Sequence, residues 1–230
     1  MNTINTKPEP EIPHFALKDC ALIPIATHRR ANTLKEFRDH ISTLSPDSLY
    51  YHFWASLLLP HFEEREYIND FASWVRHSLS DTKLAEQLAV LDPTLFDDME
   101  ELRYHLLEYI DDRMEESEYL QWTRATQQFE FIRSQIVVFS TGTQVSEPHQ
   151  LADMIRGMSA SSIFYHFIDA RRRRTADKMD DFCRWLVFFG GTYQPLIDRL
   201  AGIDPYFSTL VEIRRQVAMA FESYFAERAS

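Results

Sequence analysis

The chain has 230 residues, 45% of them hydrophobic and 26% charged, with five glycines, 17 phenylalanines and a formal net charge of −11. A chain of this size can bury about 70% of its extended surface, enough for a core without disulfides or metals. Its charge opposes nucleic-acid backbones and anionic membrane surfaces, so neither is an expected partner.

Residues 1–13 lack the apolar run of a signal peptide and are read as a flexible tail. No stretch approaches the roughly 20 apolar residues of a membrane-spanning helix. Cys20 and Cys183 have no equivalents in the repeat described next, so they are read as reduced thiols in a cytoplasmic protein.

Repetition organises the rest of the chain. Phe15, Thr27, Ser45, Ser48, Tyr51, His52 and Phe53 recur as Phe129, Thr141, Ser159, Ser162, Tyr165, His166 and Phe167, 114 positions later (166 − 52 for the histidines). At slightly shorter spacing, Asp70, Phe71 and Trp74 are answered by Asp181, Phe182 and Trp185. Asp92-Pro93 is answered by Asp204-Pro205, and Glu101 and Arg103 by Glu212 and Arg214. Each copy acts as the other's control, so a kept position is a constrained one.

The reading is a mainly α (α+β), internally duplicated fold with one short β-strand per repeat about a pseudo-two-fold axis. Repeat one spans 14–118, a connector 119–128 and repeat two 129–230. The short connector packs both repeats as one globule.

Each repeat opens on an extended segment, 15–27 and 129–141. Phe129, Phe131, Val137 and Phe139 share one parity there, as in a strand, and Pro24 restricts the first segment to an edge or an early end. An amphipathic helix follows, with Leu34, Phe37, Ile41 and Leu44 matched by Leu151, Met154, Ile155 and Met158. Ser45 and Ser159 are expected to cap the next helix, apolar nearly all round at its start and therefore buried. Further helices are expected over 64–80, 82–91 and 95–118, with Asp92 or Asp204 capping the last helix of each copy.

The candidate site residues come from that buried helix and its continuation: Tyr51, His52, Tyr165, His166, Arg171, Arg172, Arg173 and Arg174. Ser48 and Ser162 precede the histidines by four positions, a spacing at which hydroxyl and imidazole share a helix face. If the histidines face each other they line one central polar pocket; otherwise they are core residues. The four consecutive arginines can clamp an anion, or be neutralised by Asp169, Asp177, Asp180 and Asp181. Asp70 and Asp181 are expected to anchor a backbone or a basic neighbour such as Arg103 or Arg214, which with Glu101 and Glu212 would form a duplicated ion-pair network. The stripe Glu101, His105, Glu108 and Asp112 looks metal-like but is not repeated in the second copy, so no metal site is expected. The chain has no Gly-x-Gly-x-x-Gly, P-loop, Gly-x-Ser-x-Gly, Cys-x-x-Cys or His-Glu-x-x-His motif, and no cofactor is expected.

Phe-x-Leu-x-Asp-Cys at 15–20, Ser-Pro-Asp-Ser-Leu-Tyr-Tyr-His-Phe-Trp at 45–54 and Ser-Ile-Phe-Tyr-His-Phe-Ile-Asp-Ala-Arg at 162–171 resemble an uncharacterised bacterial and archaeal family classed as a domain of unknown function. The likeness spans about 14–225. It implies a soluble, duplicated architecture and carries no reaction. Two functional expectations follow. The first is a non-catalytic binding or regulatory module presenting helical faces and the arginine segment to a protein partner, with buried and fully hydrogen-bonded histidines. The second is a small-molecule sensor or enzyme with an inter-repeat pocket for an anionic or sugar-like ligand.

Overall fold

The computed structural model describes residues 13–58, 66–173 and 177–229. Arg174, the tail before residue 13 and the start of the helix expected at 64 lie outside them. The two extended segments form β1 (Phe15–Thr33) and β2 (Arg124–Val145), which pair antiparallel as a two-stranded sheet. They are far longer than the short strands expected, because the pairing runs past the apolar centre into the polar ends, with register shifts between Ala16 and Lys18 and between Ala26 and Arg29.

Helices fill the intervals. After β1 come α1 (Leu34–Ile41), α2 (Pro46–Leu58), α3 (Asp70–Ser78), α4 (Thr82–Ala89), α5 (Met99–Glu116) and α6 (Glu118–Trp122). After β2 come α7 (Pro148–Ile155), α8 (Ala160–Ile163), a π-helical segment over Phe164–Asp169, α9 (Ala170–Arg173), α10 (Asp181–Val187), α11 (Gln194–Ala201) and α12 (Leu210–Ala229). The connector is therefore partly helical, and β2 begins inside it.

Pro24 sits in mid-strand, not at a strand end. Register is continuous from Lys18↔Ser140 to Ala26↔Ile132, with Pro24↔Ser134 between them. In an antiparallel pair, alternate residues turn their N–H and C=O groups away from the partner. Lys18 and Ile132 make such outward contacts, and Pro24 shares their parity, so its missing N–H removes no ladder bond. Of the aromatic residues of shared parity, Phe129 and Phe131 are buried, whereas Phe139 is exposed, as are Ile23 and Val138.

Capping differs in detail from the sequence reading. The Ser159 hydroxyl accepts from the Ser162 N–H at 2.9 Å, while Ser45 offers its carbonyl to Ser48 and Leu49. Asp92 and Asp204 are not helix caps. Their carboxylates close turns over Thr94 and over Tyr206–Phe207, and Asp98 and Thr209 cap α5 and α12 instead. An Asp before proline is as well suited to an Asx-turn as to a helix start, which is why the signal misled.

The apolar stripe of α1 meets β2 and α3. Phe37 is fully buried among Phe71, Trp74, Phe129 and Phe131, at ring distances of 5.7, 4.7, 5.1 and 5.8 Å. Phe37→Ala should lower the unfolding free energy by about 3–5 kcal/mol. Chemical denaturation checks this, and a loss below about 1 kcal/mol would mean that the cluster does not hold the ribbon to the helices.

Candidate functional site

The Tyr-His-Phe helices grip the ribbon. The Ser48 hydroxyl donates to the Ile132 carbonyl, and the Ile132 N–H donates to His52 Nε2 at 3.0 Å, so one turn of α2 satisfies both outward groups of a single strand residue. The other half does the same on the opposite edge: Ser162 donates to the Lys18 carbonyl at 2.7 Å and the Lys18 N–H donates to His166 Nε2 at 2.9 Å. The targets keep the spacing of the histidines, 132 − 18 = 114. Serine and histidine share a helix face but do not bond each other, because both are taken by the strand edge.

The correspondence extends further. Thr27 and Thr141 donate to the carbonyls of Phe131 and Leu17, and the Trp74 and Trp185 indoles to those of Gln127 and Pro13. Arg103 reaches the carbonyls of Ile41 and Leu44, and Arg214 that of Met158. These arginines close helix ends, while Glu101 and Glu212 turn to Asp97 N–H and to Arg215 and Gln216, so the expected Glu101–Arg103 network does not form.

A backbone N–H can only donate, so Nε2 of each histidine is bare and Nδ1 carries the proton. That proton points at Asp70 from His52 and at Asp181 from His166, each at 2.9 Å. Both histidines are 3% exposed and boxed by rings, His52 by Phe71 and Phe129 and His166 by Phe15 and Phe182. They do not face each other. Each turns outward to the strand edge on its own side.

Tyr51 and Tyr165 lie edge-on to their neighbouring histidines and are buried. Tyr165 also carries Arg173, whose guanidinium sits 3.9 Å above its ring, donates to its hydroxyl and carbonyl, and reaches Asp181 at 2.7 Å. Burial alone would raise the Asp181 carboxyl, but hydrogen bonds from His166 and Arg173 outweigh it and hold the group below the usual carboxylate range. A shallow cleft of about 260 Å³ opens here between β1 and the second half, beside Lys18, His166, Arg173 and Trp185.

A larger cavity, about 390 Å³, lies where the halves meet, and neither histidine lines it. Its walls are Pro46, Tyr50 and Trp54 of α2, the turn from Pro93 to Glu100, and Ile168, Arg171, Arg172, Lys178 and Pro205. The first half ends α2 with Leu57 and Leu58, where the second half has Arg171 and Arg172. The π-helical turn just before them widens the helix and shifts the side chains that follow, a distortion common at functional sites.

Asp169, 1% exposed, ends that turn. It accepts from the Tyr50 hydroxyl at 3.2 Å and pairs with Arg172 and Arg173 at 3.3 and 3.0 Å. Burial and the Asp169 charge push the Tyr50 phenol well up, so it remains a donor. Arg172 stacks 4.3 Å above the Tyr50 ring and reaches Asp47 at 3.4 Å.

Arg171 is placed differently. It lies 4.6 Å over Phe167 and 3.7 Å from Asp180, and has no hydrogen bond among the described residues. Burial pushes the Asp180 carboxyl up despite the Cys183 N–H and the Arg171 charge. Lys178 latches the turn opposite, donating to the Phe96 carbonyl at 3.0 Å and to Asp97 at 2.8 Å.

Of the predicted site residues, the structure thus brings Tyr165, His166 and Arg173 together, places Arg171 and Arg172 at the cavity, and sets Tyr51 and His52 apart on the other edge. Sequence reasoning missed Tyr50, Trp54 and Lys178. The signal was there: Tyr50 and Trp54 stand where the second half has Phe164 and Ile168. His105 of the metal-like stripe simply meets Glu108 at 3.1 Å on an exposed face. Both thiols are buried, and burial raises each of them, Cys20 to about 12, which keeps them protonated and unreactive.

A two-stranded ribbon held along both edges by helices, with a cavity at their junction, defines a mainly helical architecture whose most suggestive polar residues serve the backbone. The chain belongs to DUF5752, a family of unknown function whose model matches residues 12–222. It is similar to the structure of OrfY from Thermoproteus tenax, with 25% identity, a TM-score of 0.78 and coverage of 92% of this chain and 95% of that one. No curated protein matches it. Among the described residues, no helix is long and apolar enough to cross a membrane.

Two expectations follow. Nitrogen-detected NMR of the imidazoles should find Nε2 bare and Nδ1 protonated in both His52 and His166 at neutral pH; the opposite tautomer in either ring would refute the grip on the strand. Asp181 gives a pH signature. Its native carboxyl takes up a proton at lower pH than the unfolded one, so its contribution to stability is complete above the unfolded value and is lost as pH falls through the native value. Asp181→Asn should therefore flatten the acid limb of a stability–pH curve, and an unchanged slope would contradict the assignment.

Proposed function

We propose that this protein is a non-catalytic binding module whose ligand is a small molecule seated in the cavity between its two halves. We further infer that those halves derive from one duplicated unit, with the strand contacts repeated at a spacing of 114 as the support.

The observation that carries the binding reading is the cavity itself. At about 390 Å³ it falls within the range of small-molecule sites, and Tyr50, Trp54, Phe96, Met99 and Ile168 give it an apolar, largely aromatic wall with a few charged groups at one side. The histidines speak for a non-catalytic role. Both nitrogens of each ring are engaged by a backbone N–H and a carboxylate, so neither ring offers a free nitrogen for proton transfer. The alternative in which the arginine segment faces a protein partner has weaker support, because Arg172 and Arg173 spend their charge on Asp47, Asp169 and Asp181.

Indole, a neutral planar probe, should bind saturably in ligand-observed NMR. Met99→Trp, which fills the cavity, should abolish binding, while Phe188→Ala at the shallow cleft should leave it intact. Binding that survives Met99→Trp and is lost with Phe188→Ala would move the site to the cleft and end this reading.

A further inference from the structure

We propose that Arg171 is an oxyanion receptor, so that the ligand of the cavity is an apolar-bodied molecule ending in a phosphate or carboxylate group. This rests on the reading of the cavity as the binding site and names the chemistry of what enters it.

A guanidinium carries five N–H donors in a planar fork, and its partners in folded proteins are usually carboxylates, carbonyls or anions. Arg173 uses its donors on Tyr165, Asp169 and Asp181, and Arg184 on Asp177, Asp181 and the Met179 carbonyl. Arg171 has the same chemistry and only 21% of its side chain exposed, yet no hydrogen bond reaches it from the described residues. Among the described residues its Nε is fully buried and unpartnered, as is that of Arg184, whose terminal nitrogens, unlike those of Arg171, are engaged. Among the described residues the carboxylate partner of Arg171 is Asp180, which forms an ion pair at 3.7 Å, beyond hydrogen-bond reach, and gives one oxygen to the Cys183 N–H. Leaving donors of a mostly buried cation unmet is costly, and an oxyanion bound by the fork removes that cost.

The surroundings hold the fork in place. Arg171 sits 4.6 Å over the Phe167 ring and Arg172 4.3 Å over the Tyr50 ring, so two guanidiniums border the cavity with an aromatic ring supporting each. The apolar wall of Tyr50, Trp54 and Ile168 then receives the body of the ligand. Asp97, Asp98 and Glu100 at the far side are engaged by Lys178, by the start of α5 and by Arg103, so the donors left unmet at the cavity are those of Arg171. In a chain of net charge −11, long-range repulsion works against anions, so a preference for one reports a local receptor.

Calorimetric titration with 2-naphthyl phosphate, 2-naphthol and inorganic phosphate tests this. The expected result is at least tenfold tighter binding of 2-naphthyl phosphate than of 2-naphthol, an advantage lost in Arg171→Met and only partly kept in Arg171→Lys, which retains the charge without the fork. Methionine preserves the stem over Phe167, and melting curves of both variants establish that they fold. Should Arg171→Met fail to fold, Arg171→Lys and the ratio in the unaltered protein decide. Equal affinity for the naphthol and its phosphate overturns the receptor while leaving the cavity reading intact. Saturable binding of neither aromatic probe overturns both, and an anion preference unchanged in both variants places the receptor elsewhere.

Discussion

One strand residue on each edge of the ribbon, Ile132 or Lys18, has its carbonyl taken by a serine and its N–H by a histidine from the same helical turn. Much of the fold depends on this. A lone two-stranded hairpin is marginal in water, and open edges invite pairing with other chains. Here the helices do what a third and a fourth strand would do, with side chains standing in for a backbone. The grip needs a histidine with Nε2 unprotonated, which in turn needs a proton acceptor at Nδ1, and Asp70 and Asp181 supply it from the following helices. A serine four residues before a histidine and an aspartate at the start of the next helix are thus one unit, and removing any member leaves a buried polar group without its partner at about 1–3 kcal/mol.

The same interaction explains why α2 and its counterpart differ so much beyond their first turns. Once Ser48 and His52, or Ser162 and His166, are seated, the remainder of each helix is free to differ. In the first half it continues as an apolar α-helix carrying Trp54. In the second it passes through a π-helical turn and emerges with Asp169, Arg171, Arg172 and Arg173. Tyr50 joins the two by donating to Asp169 and lying beneath Arg172, so the seam between the halves is polar on one side and aromatic on the other. The cavity is the space left where those unlike ends fail to match.

The fold was legible where a residue serves its own element. The stripe of Phe37 and Ile41, the Ser159 cap and the buried Tyr-His-Phe turn are local, periodic signals and can be read without coordinates. Strand length was not, because the polar ends of β1 and β2 lack alternation and are held by pairing and by contacts from distant residues, such as the Trp74 indole on the Gln127 carbonyl. Asp92 misled because an Asx-turn and a helix cap share one sequence signature. The partner of His52 was beyond reach for a different reason: Ile132 offers only its backbone, which is the same in every residue but proline, so nothing in the sequence marks it as the target.

Function was obscured by the same arithmetic that revealed the architecture. Comparing the two halves selects positions that both retain, and in this chain those positions hold strands, caps and core. Histidine, serine and aspartate recurring together resemble catalytic equipment, yet both serine hydroxyls, both nitrogens of each ring and an oxygen of each aspartate are engaged by the protein itself. Arg171 has no counterpart of its kind in the first half, where Leu57 stands at the corresponding place, and among the described residues no hydrogen bond reaches its mostly buried guanidinium. A recognition group must keep capacity in reserve for what it recognises, whereas a structural group is spent on folding. By that criterion matched polar residues point to the scaffold and an unmatched, underused one to the ligand, which is why the proposed site lies at the seam and not at the twin histidines.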